Sequence, residues 1–401
     1  MGKLIVTPYE GGILSALHDG GRVRLLDWNA PEAGIRCGDV FRAKIVSVSR
    51  NIQAAFADLG GENGYLALRE GESVKPGDEI TVQVEKEARG TKLAVLTRRL
   101  SFPGKYLVLL PGGRDIHYSH KLETEDIPET VREVLNPYMA GCGFILRTNA
   151  AAAQPEAIRE EAARLKSHAE KLLVRAEHSP APALLAHGEE PYLALLRDLR
   201  EGEAQEIVTD DPKLFREIGE WLAAYQPSDA GKLRLYDDPL LPLHALYALP
   251  AALEKALQKK VWLKSGSFLV IEATEAMTVI DVNTGKTESR KELEETVFRT
   301  NLEAAEEIAV QLRLRNVCGI IVADFINMKE ESHRKALLDA LANAVSADPV
   351  HTAVEGMTKL GLVEMTRQKK SLPLAEKMAL LKTSTPGKSI ASRRMRPSNN
   401  Y

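Results

Sequence analysis

The sequence predicts a multidomain α+β protein, and three patterns support that prediction. Short alternating runs between residues 39 and 100 are typical of strands, a stretch between 154 and 177 has helical spacing, and the region from Lys264 onward predicts strand, helix, strand. The chain has 401 residues, of which 44% are hydrophobic. That length and composition are sufficient for two or three separately packed domains.

Charge and cysteine content limit the binding partners and the cellular compartment that the sequence predicts. The formal net charge is only -3, so nucleic-acid binding would have to depend on local basic clusters. Cys37, Cys142 and Cys318 are far apart in the sequence, which predicts buried thiols in a reducing compartment and no disulfide framework. The sequence shows neither a signal-peptide apolar core nor a membrane-spanning apolar run, so we expect a soluble cytoplasmic protein without a membrane partner.

The runs between residues 39 and 100 predict a small β-barrel. They are short, and glycine-rich or polar turns such as GGENG and KPGD separate them. Phe56 and Tyr65 belong to this barrel, and Lys92 lies in the neighbouring GTKLAV segment. Two stacking rings beside a cation suit single-stranded RNA. Alternatively Phe56 belongs to the barrel core, and Tyr65 is then the better surface candidate.

The segments around the barrel predict further elements. KLIVTP and RVRLLDW predict strands of another sheet, and residues 190 to 258 predict a mixture of helices and short strands. Residues 154 to 177 predict a helix that ends near the prolines of HSPAPAL. Its predicted buried face consists of Ile158, Ala162, Leu165, Ala169 and Leu172.

Two aspartates follow apolar runs in the C-terminal part of the chain. SFLVIEA and AMTVIDVN predict a hairpin, SRKE at 289–292 is a capping box that opens a helix, and VCGIIVADF predicts a strand buried on both faces. A strand–helix–strand unit makes its strands parallel with a right-handed crossover, so Asp281 and Asp324 should lie at the same sheet edge. Asn283 should point to the same face as Asp281. The predicted buried stripe of the intervening helix is Leu293, Val297, Ala304, Ala305, Ile308 and Leu312.

Two neighbouring carboxylates repel each other unless a cation lies between them. Two aspartates and an asparagine, without nearby histidine or cysteine, match the oxygen ligands that Mg²⁺ prefers. The corresponding chemistry is attack of a metal-activated water on a phosphodiester. An aspartate at a strand end is also a common turn former or helix cap, and this interpretation stays open.

These segments resemble the ribonuclease E/G family of bacterial endoribonucleases. TEAMTVIDVNTGK, EETVFRTNLEAAEEIAVQLRLRN, GIIVADFINM and GLVEMTRQKK follow the order and spacing of that family's catalytic region. The resemblance implies that Asp281 and Asp324 hold the magnesium ion. It also implies that Asn283 orients the attacking water or the scissile phosphate.

The resemblance extends over most of the chain and implies a domain layout. Residues 1–33 and 191–262 would form a ribonuclease-H-like α/β scaffold, with an OB-fold RNA-binding domain at 34–101 and a 5′-end sensor at 102–190 inserted into it. A DNase I-like α/β catalytic domain would occupy 263–380. The basic tail at 381–401 would be either an RNA-attracting arm or a solvated flexible end.

The sensor of the resembled family recognises a monophosphorylated RNA 5′ end. FPGKYLVLLP and FILRTN match it, which implies that Gly104, Val108, Arg147 and Thr148 contact the phosphate. An arginine fork and a hydroxyl suit a phosphate, although an Arg-Thr pair is also common at a solvated strand end. Where the family usually has two neighbouring arginines, this chain has His120 and Lys121, which predicts weaker discrimination of the 5′ end.

The chain departs from the family after MTRQ. The paired cysteines through which two protomers of the family share a zinc ion are absent from KKSLPLAEKMALLKTSTPGK. We therefore expect no structural zinc. Any homodimer would have to form without a zinc link. We expect the family's C-terminal small domain to be missing as well.

Three functions are compatible with these patterns. The first is a magnesium-dependent endoribonuclease that cleaves single-stranded RNA in rRNA processing and mRNA decay, with a preference for 5′-monophosphorylated ends. The second is a non-catalytic RNA-binding protein on the same platform, and the third is a metal-dependent phosphoesterase for another substrate. Asp281, Asn283 and Asp324 favour the first, because clustered carboxylates facing an RNA backbone would weaken a pure binding module. The barrel argues against the third.

Overall fold

The computed structural model describes residues 2–30, 34–69, 71–88, 92–119, 122, 129–284 and 293–384. The chain divides into two compact units. Unit 1 consists of Met1–Pro8, Leu14–Val23 and Pro31–Tyr247, and unit 2 consists of Tyr9–Ile13, Arg24–Ala30 and Ala248–Tyr401. Strands and helices occur in both units, so the predicted mixed α+β class is confirmed.

The chain begins with three strands, β1 (Lys3–Tyr9), β2 (Gly12–Asp19) and β3 (Arg22–Asn29). The sequence patterns predict β1 and β3. They miss β2, because its sequence GILSALHD contains no β-branched or aromatic cluster apart from one isoleucine.

The predicted β-barrel is confirmed. Its strands are β4 (Val40–Ser49), β5 (Ala54–Asp58), β6 (Asn63–Ala67), β7 (Glu79–Lys86) and β8 (Ala94–Thr97). They pair in the order β4-β5-β6-β8-β7, and β7 pairs back with β4, which closes the barrel. Because the barrel is closed, each of these five strands pairs with two neighbouring strands of the barrel. The interior is filled by apolar side chains, among them Ala43, Ile45, Leu66, Val82 and Leu96.

A smaller sheet and a long helix follow the barrel. The elements are β9 (Phe102–Pro103), β10 (Leu107–Pro111), β11 (Ile116–Tyr118), α1 (Glu129–Leu135), β12 (Cys142–Leu146) and α2 (Pro155–His178). The sheet has the order β11-β12-β10-β9. All five residues of the predicted helix face are buried in one core with this sheet, so the predicted helix is confirmed.

The next segment alternates strands and helices, as predicted for residues 190 to 258. The elements are β13 (Ala183–Ala186), α3 (Pro191–Asp198), β14 (Glu206–Thr209), α4 (Pro212–Tyr225), β15 (Leu233–Leu235), α5 (Leu243–Leu246) and α6 (Leu249–Leu257). β13 pairs with β4. β1 pairs in parallel with β14, and β14 pairs in parallel with β15, within a sheet of order β15-β14-β1-β2-β3.

The C-terminal part of unit 2 contains a six-stranded sheet with helices. The elements are β16 (Lys260–Trp262), β17 (Phe268–Ala273), β18 (Met277–Asn283), α7 (Leu293–Leu314), β19 (Gly319–Asp324), α8 (Glu331–Ser346), β20 (Thr352–Met357), β21 (Leu362–Arg367) and α9 (Leu374–Ser384). The sheet has the order β16-β17-β18-β19-β21-β20. The predicted hairpin of β17 and β18 is confirmed, as is the parallel pair of β18 and β19. The capping box at 289–292 and the Leu293 side chain lie outside the described residues.

Among the residues that the structure describes, helices α7 and α8 share a core with one face of this sheet. Side chains of β18 and β19 on that face, such as Ile280 and Ile321, share a core with Ile308 of α7 and Leu337 of α8. The opposite face is open, and Ile320 there is 51% exposed. The prediction that VCGIIVADF is buried on both faces is therefore wrong, because a continuous apolar run does not reveal whether one or two layers cover it.

Two further expectations concern the thiols and the membrane. Cys142 is buried and Cys318 is half-buried, but Cys37 is exposed, so the prediction of buried thiols is wrong for Cys37. Cys37 lies in the loop before β4, where its thiol donates to the Glu85 carbonyl at the surface. Within the described ranges, none of the helices combines the length and apolar character needed to cross a membrane.

Candidate active site and RNA-binding residues

Asp281 and Asp324 lie side by side on the open face of the six-stranded sheet. They are directly opposite each other in the parallel register of β18 and β19. Both residues are exposed. Because neighbouring strands are about 4.8 Å apart, the two carboxylates share one small area of the surface.

Asn283 lies next to this pair. Its Nδ2 atom donates a hydrogen bond of 2.8 Å to Oδ2 of Asp281, which fixes the orientation of that carboxylate. Within the described part of the chain, neither carboxylate forms an ion pair, and no group of three or more His, Cys, Asp or Glu residues is placed to hold a metal ion. The donor set is therefore two carboxylates and one amide. It fits a magnesium ion that keeps several of its own waters.

Helix α7 holds the backbone that leaves β19 after Asp324. Asn301 of α7 is fully buried, and it exchanges two hydrogen bonds with Ile326: its Nδ2 donates to the Ile326 carbonyl at 2.8 Å, and the Ile326 N–H donates to its Oδ1 at 3.1 Å. Glu294 accepts from the N–H groups of Glu330 and Lys329. These bonds lower the pKa of the Glu294 carboxyl below its usual value. Sequence reasoning missed Asn301, although an asparagine beside a buried helical stripe is a usable signal.

Two aromatic rings and a lysine lie on the same sheet face, toward its β16 edge. Trp262 is directly opposite Phe268, and Phe268 is directly opposite Asn283. The two ring centroids are 5.3 Å apart, and Lys260 Nζ lies 3.9 Å from the Trp262 centroid and 3.6 Å from the Phe268 centroid. Sequence reasoning did not single out these residues, although the alternation in KVW and in SFLVIE places them on one face.

The predicted RNA-binding aromatic residues form a pair on the barrel. Phe56 of β5 is directly opposite Tyr65 of β6, and their rings meet edge to face with centroids 6.1 Å apart. Phe56 is half-buried and lies outside the apolar barrel core, so the alternative assignment of Phe56 to that core does not hold. Lys92 is exposed just before β8, the strand that pairs with β6.

Comparison with known proteins identifies the family. The chain matches the model of the ribonuclease E/G family over residues 101–370. The chain belongs to the ribonuclease E/G family. It is 35% identical to ribonuclease G of Salmonella typhimurium over 387 residues, which is 90% of this chain and 76% of that protein. It is 35% identical to ribonuclease G of Haemophilus influenzae over 389 residues, covering 91% of this chain and 78% of that protein. Ribonuclease E of Escherichia coli is 34% identical over 383 residues, covering 90% of this chain and 36% of that protein.

The residues assigned to the 5′ sensor by the family resemblance lie close together in unit 1. Val108 of β10 is opposite Ile145 of β12, and the Arg147 N–H donates to the Tyr106 carbonyl. Thr148 begins a short 3₁₀ helix, Thr148–Ala152. His120 and Lys121, the departures from the family pattern, lie outside the described residues.

The turn after Gly104 is built around a buried carboxylate of α2. Glu161 accepts hydrogen bonds from the backbone N–H groups of Lys105, Tyr106 and Leu107 at 2.7 to 2.8 Å. Burial raises the pKa of Glu161, and the three N–H donors act in the opposite direction. A Cβ atom on residue 104 would lie 2.4 Å from the Glu161 carboxyl carbon, so only glycine fits there.

The guanidinium of Arg147 already has partners inside the protein. It donates to the Gly104 carbonyl and, at 2.6 Å, to Oδ1 of Asp198. The Arg147 and Asp198 side chains are about one-fifth exposed. An RNA phosphate that binds Arg147 must therefore compete with Asp198 or share the guanidinium with it.

Proposed function

We propose that this chain is a magnesium-dependent endoribonuclease that cleaves single-stranded RNA, with Asp281, Asn283 and Asp324 as its catalytic residues. The observation that supports this most strongly is the in-register pair Asp281 and Asp324, exposed on the open sheet face. Membership of the ribonuclease E/G family makes the chain an endoribonuclease, a hydrolase of RNA phosphodiester bonds.

Asp281 and Asp324 would hold the magnesium ion. When bound, the ion would supply Lewis-acid activation of a water for attack on the scissile phosphodiester. The hydrogen bond from Asn283 keeps the Asp281 carboxylate in one orientation. The Asn283 amide would orient the attacking water or the scissile phosphate. Asn301 keeps the backbone beyond Asp324 in place through its two bonds to Ile326.

Single-stranded RNA, such as rRNA precursors and mRNA, is the proposed substrate. Phe56 and Tyr65 would stack on two bases, and Lys92 would contact the backbone. Every base has a flat face, so this contact selects unpaired strands rather than a sequence. Processing of such transcripts would take place in the cytoplasm, the compartment that isolated cysteines also favour.

A preference for 5′-monophosphorylated RNA is part of the proposal. Gly104, Val108, Arg147 and Thr148 would surround the terminal phosphate. Because Asp198 already occupies the Arg147 guanidinium, and because His120 and Lys121 replace arginines of the resembled pattern, the preference should be modest.

The finer domain assignment is proposed on the same basis. The parallel strands β1, β14 and β15 would belong to a ribonuclease-H-like scaffold, the closed barrel to an OB-fold, and the six-stranded sheet to a DNase I-like catalytic domain. Without a Cys-x-x-Cys pair in the chain, a homodimer would form by ordinary packing and would bind no structural zinc.

The non-catalytic alternative explains the aspartates less well. Two neighbouring carboxylates repel an RNA backbone, and a protein that only bound RNA would gain affinity by replacing them.

The test is cleavage of a 5′-monophosphorylated, A/U-rich oligonucleotide with and without magnesium, followed by mapping of the product ends. Internal cleavage that requires magnesium supports the proposal. The matched control is Glu272→Gln, which removes an exposed carboxylate from the neighbouring strand β17, where Glu272 is ion-paired with Lys259. This control should cut at the parent rate. Binding without cleavage under all conditions would instead support the non-catalytic alternative.

A further inference from the structure

The two rings and the lysine near Asn283 form a cluster with no role in the function described so far. Trp262 is 64% exposed, whereas Trp28 and Trp221 are 3% and 8% exposed. Burying a tryptophan is favourable, so a tryptophan left in water on a sheet face indicates a surface that receives a partner.

We propose that Trp262, Phe268 and Lys260 form a base-stacking subsite for the nucleotide next to the phosphate that is cut. The proposal rests on the proposed function, because it takes Asp281 and Asp324 as the site of cleavage. It adds to that function a substrate contact in unit 2, whereas the barrel pair Phe56 and Tyr65 belongs to unit 1.

The register of the sheet places the cluster beside the acidic pair. Trp262, Phe268 and Asn283 form one row across three strands. Lys260, Val270, Asp281 and Asp324 form the adjacent row on the same face. Trp262 therefore lies two strand spacings, roughly 10 Å, from Asn283, a distance that neighbouring nucleotides of one RNA strand can span.

The chemistry of the cluster suits a nucleotide. The rings of Trp262 and Phe268 are inclined by 60° and meet edge to face. Phe268 therefore contacts the indole but does not stack parallel to it. Lys260 is held over both rings, where its ammonium group can also attract a phosphate. An aromatic surface with a cation beside it is the combination that single-stranded nucleic-acid sites use.

A second copy of the chain is the competing occupant. Met277, Val279 and Ile320 continue the exposed apolar surface along the same face. However, lysine is depleted at the centres of protein–protein interfaces, and like-charged carboxylates from two copies would face each other there. These features favour RNA over self-association.

The first experiment measures binding without cleavage. In an Asp281→Asn, Asp324→Asn protein, a 5′-hydroxyl single-stranded oligonucleotide should quench the tryptophan fluorescence, because Trp262 is exposed and Trp28 and Trp221 are buried. The quenching should disappear in Trp262→Phe, which keeps a ring for stacking and should keep most of the affinity. Unquenched fluorescence with saturating RNA would overturn the proposal.

The second experiment measures cleavage of the same RNA and of a series with one abasic position on either side of the cut. On the intact RNA, Trp262→Ala should lower kcat/KM about tenfold, and Trp262→Phe should retain most of the parent rate. On the one RNA of the series that lacks the base stacked on Trp262, Trp262→Ala should have little effect. Ile320→Ala, a matched truncation on the same face, should leave the rate unchanged. Lys260→Gln should reduce the salt dependence of binding by about one counterion.

The outcomes separate the subsite from the proposed function. If the parent does not cut RNA, the proposed function fails and the subsite beside a cut phosphate fails with it; the fluorescence result then shows only whether RNA stacks on Trp262. If the parent cuts RNA but Trp262→Ala does so at the parent rate, the subsite is overturned and the proposed function stands. If Trp262→Ala changes the sedimentation of the protein and not its RNA cleavage, the surface is a self-association site and the proposal is wrong.

Discussion

The open sheet face with Asp281 and Asp324 and the region proposed as the 5′ sensor both contain charged residues, but these residues differ in the partners they have within the protein. Asp281 and Asp324 are exposed, and neither forms an ion pair within the described part of the chain. In the sensor region, by contrast, Glu161 is saturated with three backbone N–H donors and Arg147 is paired with Asp198. The charges of Asp281 and Asp324 are therefore not neutralised by a described cationic side chain, whereas the charges of Glu161 and Arg147 are compensated by hydrogen bonds within the protein.

This difference separates two effects that a substitution can have. Removing an unpaired exposed group should change function and leave the free energy of unfolding almost unchanged. Removing a paired buried group leaves its partners unsatisfied and should change stability first. The following predictions test whether the two regions differ in this way.

The largest expected effect is on cleavage by Asp281→Asn and by Asp324→Asn. Each substitution removes a proposed metal ligand, so magnesium-dependent cleavage should fall by about a thousandfold or more. RNA affinity should be unchanged or slightly higher, because negative charge leaves a surface that faces phosphate. The measurement is single-turnover cleavage together with urea unfolding. A variant that cuts near the parent rate would contradict the catalytic role of that aspartate. A variant that is clearly less stable than the parent would contradict the expected separation of function from stability.

Glu161→Ala should have the largest effect on stability. It leaves the N–H groups of Lys105, Tyr106 and Leu107 without their acceptor, which should cost about 3 kcal/mol of the free energy of unfolding. Glu161→Gln keeps one acceptor oxygen and should lose less. Urea unfolding of both variants measures this effect. Equal stability of parent and Glu161→Ala would show that the turn after Gly104 does not depend on the buried carboxylate.

Arg147→Ala should affect both properties to a smaller degree. It should erase a preference of several-fold for monophosphorylated over 5′-hydroxyl RNA, because the proposed phosphate donor is gone. Loss of its bonds to Asp198 and Gly104 should also cost roughly 1 to 2 kcal/mol. Arg147→Lys keeps the charge without the two-point fork and should retain part of the preference. Parallel rate measurements on the two RNAs decide this, and an unchanged preference in Arg147→Ala would exclude Arg147 from the sensor.

The smallest expected effect concerns the pH dependence of stability. Burial alone would raise the pKa of Asp229, but hydrogen bonds from Lys105 and Lys232 outweigh burial and hold this pKa below its usual value. A lowered carboxyl pKa stabilises the fold above about pH 4, and this contribution is lost as the pH falls below that value. Asp229→Asn should remove this part of the acid sensitivity. Urea unfolding between pH 7 and pH 3 measures it, and identical pH profiles for parent and variant would contradict the assignment.

Local patterns were sufficient to predict much of the fold. The face of α2 was predictable because Ile158, Ala162 and Leu165 repeat at helical spacing and are buried together. The closeness of Asp281 and Asp324 was predictable because a strand–helix–strand unit aligns the ends of its strands. The exposure of Ile320 was not, because the number of layers on a sheet depends on the packing of distant elements.

The contacts of individual side chains were harder to predict. The Arg-Thr segment identified Arg147, but its pairing with Asp198 joins residues far apart in the chain. Likewise, Trp262 and Asn283 belong to one row only because β17 lies between β16 and β18. Such contacts depend on sheet order and register, which short motifs do not specify.

The most direct test of the central claim, that Asp281 and Asp324 hold the catalytic ion, is a count of bound metal. Mn²⁺ can replace Mg²⁺ at oxygen sites, and the paramagnetic resonance signal of free Mn²⁺ decreases on binding. With saturating 5′-hydroxyl RNA that resists cleavage, we expect the parent and Glu272→Gln to bind one more Mn²⁺ per chain than Asp281→Asn or Asp324→Asn. Equal Mn²⁺ binding by all four proteins would contradict the claim.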